Sequence, residues 1–403
     1  MKQLNFIDKI KKIKIDIRAY TLIFALIVIW LLFGSLTGGV FLSSRNFSNL
    51  LRQMTIISFL AIGMTPVIIT GNIDLSVGSM TGFISVIAAY LQAILLPTFL
   101  PGLFPALSVE LLGIFSTIIT IIICLLLGLL IGMGQGYIIA YGGVPAFIVT
   151  LGGMLILRGG LLAVAQGKTI VPIEDSLRVM AQGYLTKYPG IIIAVIAIII
   201  LFLVTLQSRT KKTQYGLKIK PLSYDLVVTS LFSAIVLGFV LVMNSYRGVQ
   251  IPVLIMAIIA VMVTYLTNNT RFGRHIYAVG GNKEATKLSG INVQAVVLKT
   301  YALMGLLCGV SGIILTGYVA AGTTSGGMNY ELSAIGGCVM GGTSLMGGIG
   351  TVFGALMGTL LMTSIENGMS VMNMSVFWQY IVKGLILVLA VYVDVTSRKN
   401  KSL

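Results

Sequence analysis

The sequence predicts an all-α protein, a polytopic transmembrane helix bundle of about 10–12 spans with both termini cytoplasmic. Three observations predict it. Of 403 residues, 57% are hydrophobic and 9% charged, and the mean hydropathy is +1.02, which is too apolar for a water-soluble domain of ordinary composition. Apolar runs of about 20 residues, the length that crosses a bilayer, recur along the whole chain. Nineteen of the 27 Lys and Arg fall in four short segments that flank apolar runs. That is the positive-inside pattern of cytoplasmic loops, and it requires an even number of spans.

Those four segments are the N-terminal tail (Lys2, Lys9, Lys11, Lys12, Lys14, Arg18), residues 209–220, residues 271–299, and the tail with Arg398, Lys399 and Lys401. The net charge of +16 therefore reports topology rather than a nucleic-acid partner. Behind the basic tail of residues 1–18, the first apolar run at 19–41 is too long for the core of a signal peptide and reads as a retained anchor. Further candidate spans follow at 52–71, 76–97, 113–142, 144–166 and 188–208, and the long fourth one is expected to be tilted or broken. A basic linker then leads into 227–246 and 249–268, so that 209–268 reads as linker plus extra hairpin, with NSYRGVQ at an external tip. The last candidates are 297–321, 331–345, 348–369 and 375–395, of which 331–345 is short, glycine-rich and a candidate re-entrant segment. Residues 19–396 form one transmembrane unit, and 397–403 form a basic cytoplasmic tail. No connection is long enough to house a nucleotide-hydrolysing or DNA-binding domain.

Many of the 47 glycines stand at helical spacing: Gly128, Gly132 and Gly136; Gly305 and Gly309; Gly350, Gly354 and Gly358. Such faces let helix backbones approach closely, either within one bundle or against a second copy. Cys124, Cys308 and Cys338 sit singly in apolar runs, and His275 is the single histidine, so neither a metal site nor a Ser-His-Asp triad is expected. Gln166-Gly167-Lys168-Thr169 ends like a phosphate-binding loop, but Leu162 stands where its first glycine belongs. Any use of ATP must come from another subunit.

The most informative stretch is 270–293, TRFGRHIYAVGGNKEATKLSGINV, a short amphipathic helix candidate bracketed by a Gly280-Gly281 turn and Gly290. Glu284-Ala285-Thr286 followed by Gly290 resembles the E-A-A-x-x-x-G loop through which permeases of ABC importers dock on their ATPase. Small residues there would permit close approach to a partner cleft.

Four motifs in order resemble the ribose, galactose and xylose permease family of ABC importers: TGNIDLSVGSM at 70–80, GGVPAFIVTLGGMLILRGG at 142–160, the 270–293 stretch, and GGTSLMGGIGTVFGALMG at 341–358. The likeness runs from about residue 40 to 395, and the ending at 367–395 is most similar to xylose-type and multiple-monosaccharide permeases. The resemblance implies a multi-pass subunit of the bacterial inner membrane that is not an enzyme and holds no cofactor. It also implies cytoplasmic ATP-binding subunits, an extracytoplasmic sugar-binding protein, a second permease copy, and D-xylose as the monosaccharide carried. Gly280, Gly281, Glu284, Ala285, Thr286 and Gly290 become the expected coupling residues. Thr286 departs from a family pattern in which many members carry a second Ala.

A sugar pathway calls for hydroxyl partners and aromatic faces at bilayer depth, and Asn72, Asp74, Ser76, Gln135, Tyr137, Thr150, Asn367 and Trp378 are the candidates. Asp74 stands before a helix, where a carboxylate also caps free N–H groups. Ionisable Asp74, Arg158, Glu366 and Lys383 lie at or within apolar stretches, where a charge must face the interior, water or the interface. The alternative is a secondary sugar transporter driven by an ion gradient, which would need paired acids at midplane; such acids are scarce here.

Overall fold

The structure, a computed structural model, describes residues 17–216 and 221–399. Residues outside it carry the expected tail lysines Lys2, Lys9, Lys11, Lys12, Lys14 and Lys401, and Lys218 and Lys220 of the basic linker.

The helices are α1 (Ile17–Leu36), α2 (Ser44–Ile69), α3 (Val77–Tyr90), α4 (Leu96–Leu103), α5 (Val109–Ala140), α6 (Ala146–Ala165), α7 (Asp175–Gln182) and α8 (Lys187–Gln214). They continue as α9 (Leu222–Asn244), α10 (Ile251–Asn269), α11 (Arg271–Gly281), α12 (Lys283–Leu288), α13 (Val293–Val319), α14 (Tyr330–Met340), α15 (Val352–Val371) and α16 (Val376–Lys399). Two short strands, β1 (Tyr184–Leu185) and β2 (Val249–Gln250), pair antiparallel. Among the described residues eight helices are long and apolar enough to cross a membrane, and Thr21–Leu36 and Val376–Tyr392 are shorter apolar helices. The chain is a polytopic helical bundle.

Central position decides which helices look apolar. α2 is buried along nearly its whole length and packs against α13, α14, α15 and α10. Because it meets protein rather than lipid, α2 can carry Thr55, Ser58 and Thr65 in its interior. Thr65 returns its hydroxyl to its own helix at Ala61 O, 2.8 Å away, and Ser311 of α13 donates to Ile56 O at 3.0 Å. α15, expected as a span at 348–369, is likewise inward-facing, and its 20 residues reach about 30 Å. The outer helices α8 and α9 pack on each other and join through Arg209 and Asp225; their remaining faces are exposed Ile, Leu and Val suited to lipid.

At two segments the structure decides between alternatives the sequence leaves open. The segment 113–142 is neither broken nor interrupted: α5 is one helix of 32 residues, about 48 Å, so it must tilt or protrude from a hydrocarbon core of about 30 Å. In 331–345, the candidate re-entrant stretch, α14 stops at Met340 because Gly342, Gly347 and Gly348 take positive φ, and the chain reaches Thr351 as irregular backbone with Thr343 and Ser344 buried and Met346 and Ile349 exposed.

The glycine faces are used inside the chain. A Cβ on Gly128 would strike Gly305 O, and one on Gly132 would strike Tyr301 O, so α5 and α13 touch backbone to backbone. Gly354 and Gly358 of α15 meet Gly341 O and Gly337 O in the same way.

Candidate functional site

One end of the bundle carries α11 and α12. Thr270 begins α11 by accepting the N–H of Gly273 at 3.2 Å, and Gly273 has no room for a side chain against Thr267 O. α11 is amphipathic, with Ile276 and Val279 buried and Arg271 and Arg274 exposed. Gly280 and Gly281, expected as a turn, instead form its last residues. The break comes one residue later, where Asn282 caps α12 by accepting the N–H of Ala285 at 2.9 Å. Thr286 is buried and returns its hydroxyl to Asn282 O at 2.7 Å, while Glu284 and Ala285 are exposed and Leu288 is 88% exposed. Gly290 closes the segment at φ 78°, and its N–H donates to Lys287 O at 3.0 Å.

This end is tied to the interior through one carbonyl. A Cβ on Gly280 would overlap Ile69 O, the last carbonyl of α2, and that same oxygen accepts the N–H of Gly348 at 2.9 Å. Tyr277 donates its hydroxyl to Gly350 O at 2.8 Å, and burial raises its pKa above the usual 10.0. A groove of about 590 Å³ between α11 and the start of α13 is lined by Arg271, Phe272, His275, Asn292 and Lys299 among others, which is where the single histidine lies.

From Ile69 the chain runs through the loop 70–76, and four of the expected pathway residues meet there. Asp74 Oδ1 accepts the Ser76 N–H at 2.8 Å and lies 2.6 Å from Ser76 Oγ, which is 3.1 Å from Gln135 Oε1. The carboxylate thus holds the residue before α3 rather than the helix's own first turn. Burial pushes the Asp74 carboxyl up to about 6, against the lowering effect of the Ser76 bonds. Thr150 Oγ1 stands 3.5 Å from Ile73 O and donates to Ala146 O at 2.9 Å. Asn72 Nδ2 donates to Thr70 Oγ1 at 3.0 Å and to Thr70 O at 3.5 Å.

The remaining candidates lie elsewhere. Tyr137 is exposed and stacked on Tyr141, and Trp378 is exposed beside Phe377. Asn367 is buried, accepting from Asn46 Nδ2 at 2.8 Å and donating to Gln53 Oε1 at 3.3 Å.

Gln53 leads to a half-open cavity of about 280 Å³ lined by α2, α14, α15, α16 and the end of α13. Its walls include Tyr318, Tyr330, Glu366, Gln379 and Lys383. Glu366 Oε1 pairs with Lys383 Nζ at 2.8 Å and lies 3.3 Å from Ser333 Oγ. The two intramembrane charges noted in the sequence therefore satisfy each other, whereas Arg158 donates to Gly326 O at 3.2 Å. The tyrosines and glutamines of this cavity were missed in the sequence, where the usable signal was Gln379, four residues before Lys383 in an apolar stretch. Among the described residues no group of three His, Cys, Asp or Glu gathers for a metal.

The family model described as branched-chain amino acid transport system / permease component matches residues 46–225 and 221–391. The chain is 43% identical over 386 residues to the xylose transport system permease protein XylH of Haemophilus influenzae, covering 96% of this chain and 98% of that one. Its counterpart from Escherichia coli strain K12 is 42% identical over 390 residues, covering 96% and 94%. The ribose import permease protein RbsC of Haemophilus influenzae is 32% identical over 371 residues, covering 92% and 91%. No solved structure matches the chain.

Proposed function

The chain belongs to the branched-chain amino acid transport system / permease component family, and from that premise we propose that it is the membrane permease of an ATP-driven importer for D-xylose. Identity of 42–43% over 96% of the chain to xylose permeases supports the substrate. ATP hydrolysis belongs to separate cytoplasmic ATP-binding subunits, an extracytoplasmic binding protein delivers the sugar, and a second copy of the chain completes the pathway. The basic residues 271–299 support a cytoplasmic position for the α11–α12 end.

The observation that carries the coupling is the exposed apolar Leu288 on a helix outside the spans, beside exposed Glu284 and Ala285. Such a surface suits a protein cleft. Nucleotide-driven movement of that cleft would push α12, then α11, and through Gly280 the Ile69 carbonyl and the loop 70–76 at the foot of α3. Asp74, Ser76, Gln135 and Thr150 hold that loop against α5 and α6, so displacement of the loop is passed to the helices around it.

The test is uptake of labelled xylose, ribose, galactose and glucose into proteoliposomes, with the chain alone and with its ATPase and binding protein. Xylose uptake that requires both partners and ATP is expected. Uptake by the chain alone that collapses with the ion gradient would overturn the reading in favour of a secondary transporter.

A further inference from the structure

Helix direction sets the depth of the cavity beside Glu366. α2 runs toward α11, which it meets at Ile69, and Gln53 lies near its start. Glu366 lies toward the end of α15, a helix that begins beside the irregular segment packed on Ile69, and Tyr318 is near the end of α13, which begins next to α12. The cavity therefore occupies the half of the bundle remote from the coupling segment.

Its chemistry is unlike a lipid contact. Two amides, two phenols and an ion pair face one space of about 280 Å³, at the lower edge of the range for small-molecule sites. Gln53, Gln379 and Glu366 each already have a protein partner, at Asn367, Met374 O and Lys383, but an acyl chain would leave their remaining hydrogen-bonding capacity unused. The charges cancel in the Glu366–Lys383 pair, so an ionic ligand would leave one member uncompensated. A neutral ligand rich in hydroxyls instead meets donors and acceptors on several walls, with Lys383 retaining donors beyond the one directed at Glu366. Tyrosine rings offer flat faces for the C–H side of a sugar ring, and Tyr318 is held by Arg52, whose guanidinium carbon lies 5.5 Å from the ring centre. Gln53 is held by Asn367, itself bonded to Asn46.

We propose that this cavity is a transit site for one neutral monosaccharide, entered from the side opposite α11–α12, with Gln53, Tyr330 and Gln379 binding hydroxyls and the Glu366–Lys383 pair keeping ions out. It rests on the importer reading, and it adds a place where the permease itself selects the cargo. The space is large enough for a single sugar ring.

The experiment uses the complete importer in proteoliposomes, with Gln379→Cys labelled by a charged methanethiosulfonate and with the Tyr330→Leu/Gln379→Ala double variant. Molar D-xylose, without binding protein, is expected to slow labelling at position 379 at least fivefold, while sodium gluconate does not. The double variant is expected to lose about tenfold in xylose uptake while its ATP hydrolysis, stimulated by loaded binding protein, stays within twofold of the parent; retained stimulation also reports correct folding. Unprotected labelling together with normal uptake by the double variant would overturn the transit site and leave the importer intact. Protection by xylose in a chain that shows no ATP-driven uptake would support the site and overturn the importer.

Discussion

Gly128 and Gly305 lie so close that a Cβ on either would strike the carbonyl oxygen of the other. The contact is reciprocal, so neither helix can yield without moving the other's backbone. Gly305→Ala is expected to destabilise the bundle by about 1–3 kcal/mol through overpacking. Gly134→Ala, where nothing stands within 4 Å, should stay within about 0.5 kcal/mol. Unfolding of both variants in mixed micelles measures the difference.

Gly280 and Gly281 are adjacent yet should respond oppositely. An Ala methyl at 280 meets Ile69 O and Gly348 N, both backbone, whereas at 281 it meets open space. Gly280→Ala should lower the melting temperature and cut transport at least tenfold; Gly281→Ala should be close to silent. Thermal melting alongside uptake distinguishes them.

Leu288 and Gly290 separate partner contact from folding. Leu288→Ser removes exposed apolar surface, so stability should hold within about 0.5 kcal/mol while sugar-stimulated ATP hydrolysis falls severalfold. Gly290→Asn tolerates positive φ and should retain most uptake, whereas Gly290→Trp should abolish it with normal membrane insertion. Normal uptake by a well-expressed Gly290→Trp protein would refute the coupling role.

Asp74 predicts an inverted pH dependence. Its carboxyl is raised in the fold from the usual 3.8 to about 6, so the folded state holds the proton more tightly than the unfolded one. Its stabilisation is fully present below pH 4 and is lost as pH rises toward 6, by about 3 kcal/mol in all, with no further change above. Asp74→Asn keeps an oxygen for Ser76 and should flatten that component. Unfolding free energies of the two proteins between pH 4 and 7 read it directly.

Much of the bundle was legible because lipid imposes long apolar helices, and α5, α6, α8 and α10 announce themselves that way. α14 was harder, since enclosure by protein relaxes both the length and the apolar requirement. The seam between α5 and α13 was visible as Gly128, Gly132 and Gly305 at helical spacing, but not which helices met. Within the interior site, Asp74, Ser76, Gln135 and Thr150 were readable from polarity in apolar surroundings. Tyr137 and Trp378 satisfied the same criterion yet face outward, because polarity does not say which face of a helix a residue occupies. Glu366 and Lys383 stood out singly, and only the antiparallel placement of α15 and α16 joins them.

The carbonyl of Ile69 has one further implication, in the time of synthesis. Its hydrogen-bond donor, Gly348, is about 280 residues downstream, which at ribosomal speeds of about 5–20 residues per second is a wait of about 14–56 s. Until then the end of α2 and the loop after it lack their final anchor, and α11 has only half of its seat. The α11–α12 surface proposed for coupling is therefore among the last parts of the molecule to gain its full set of contacts.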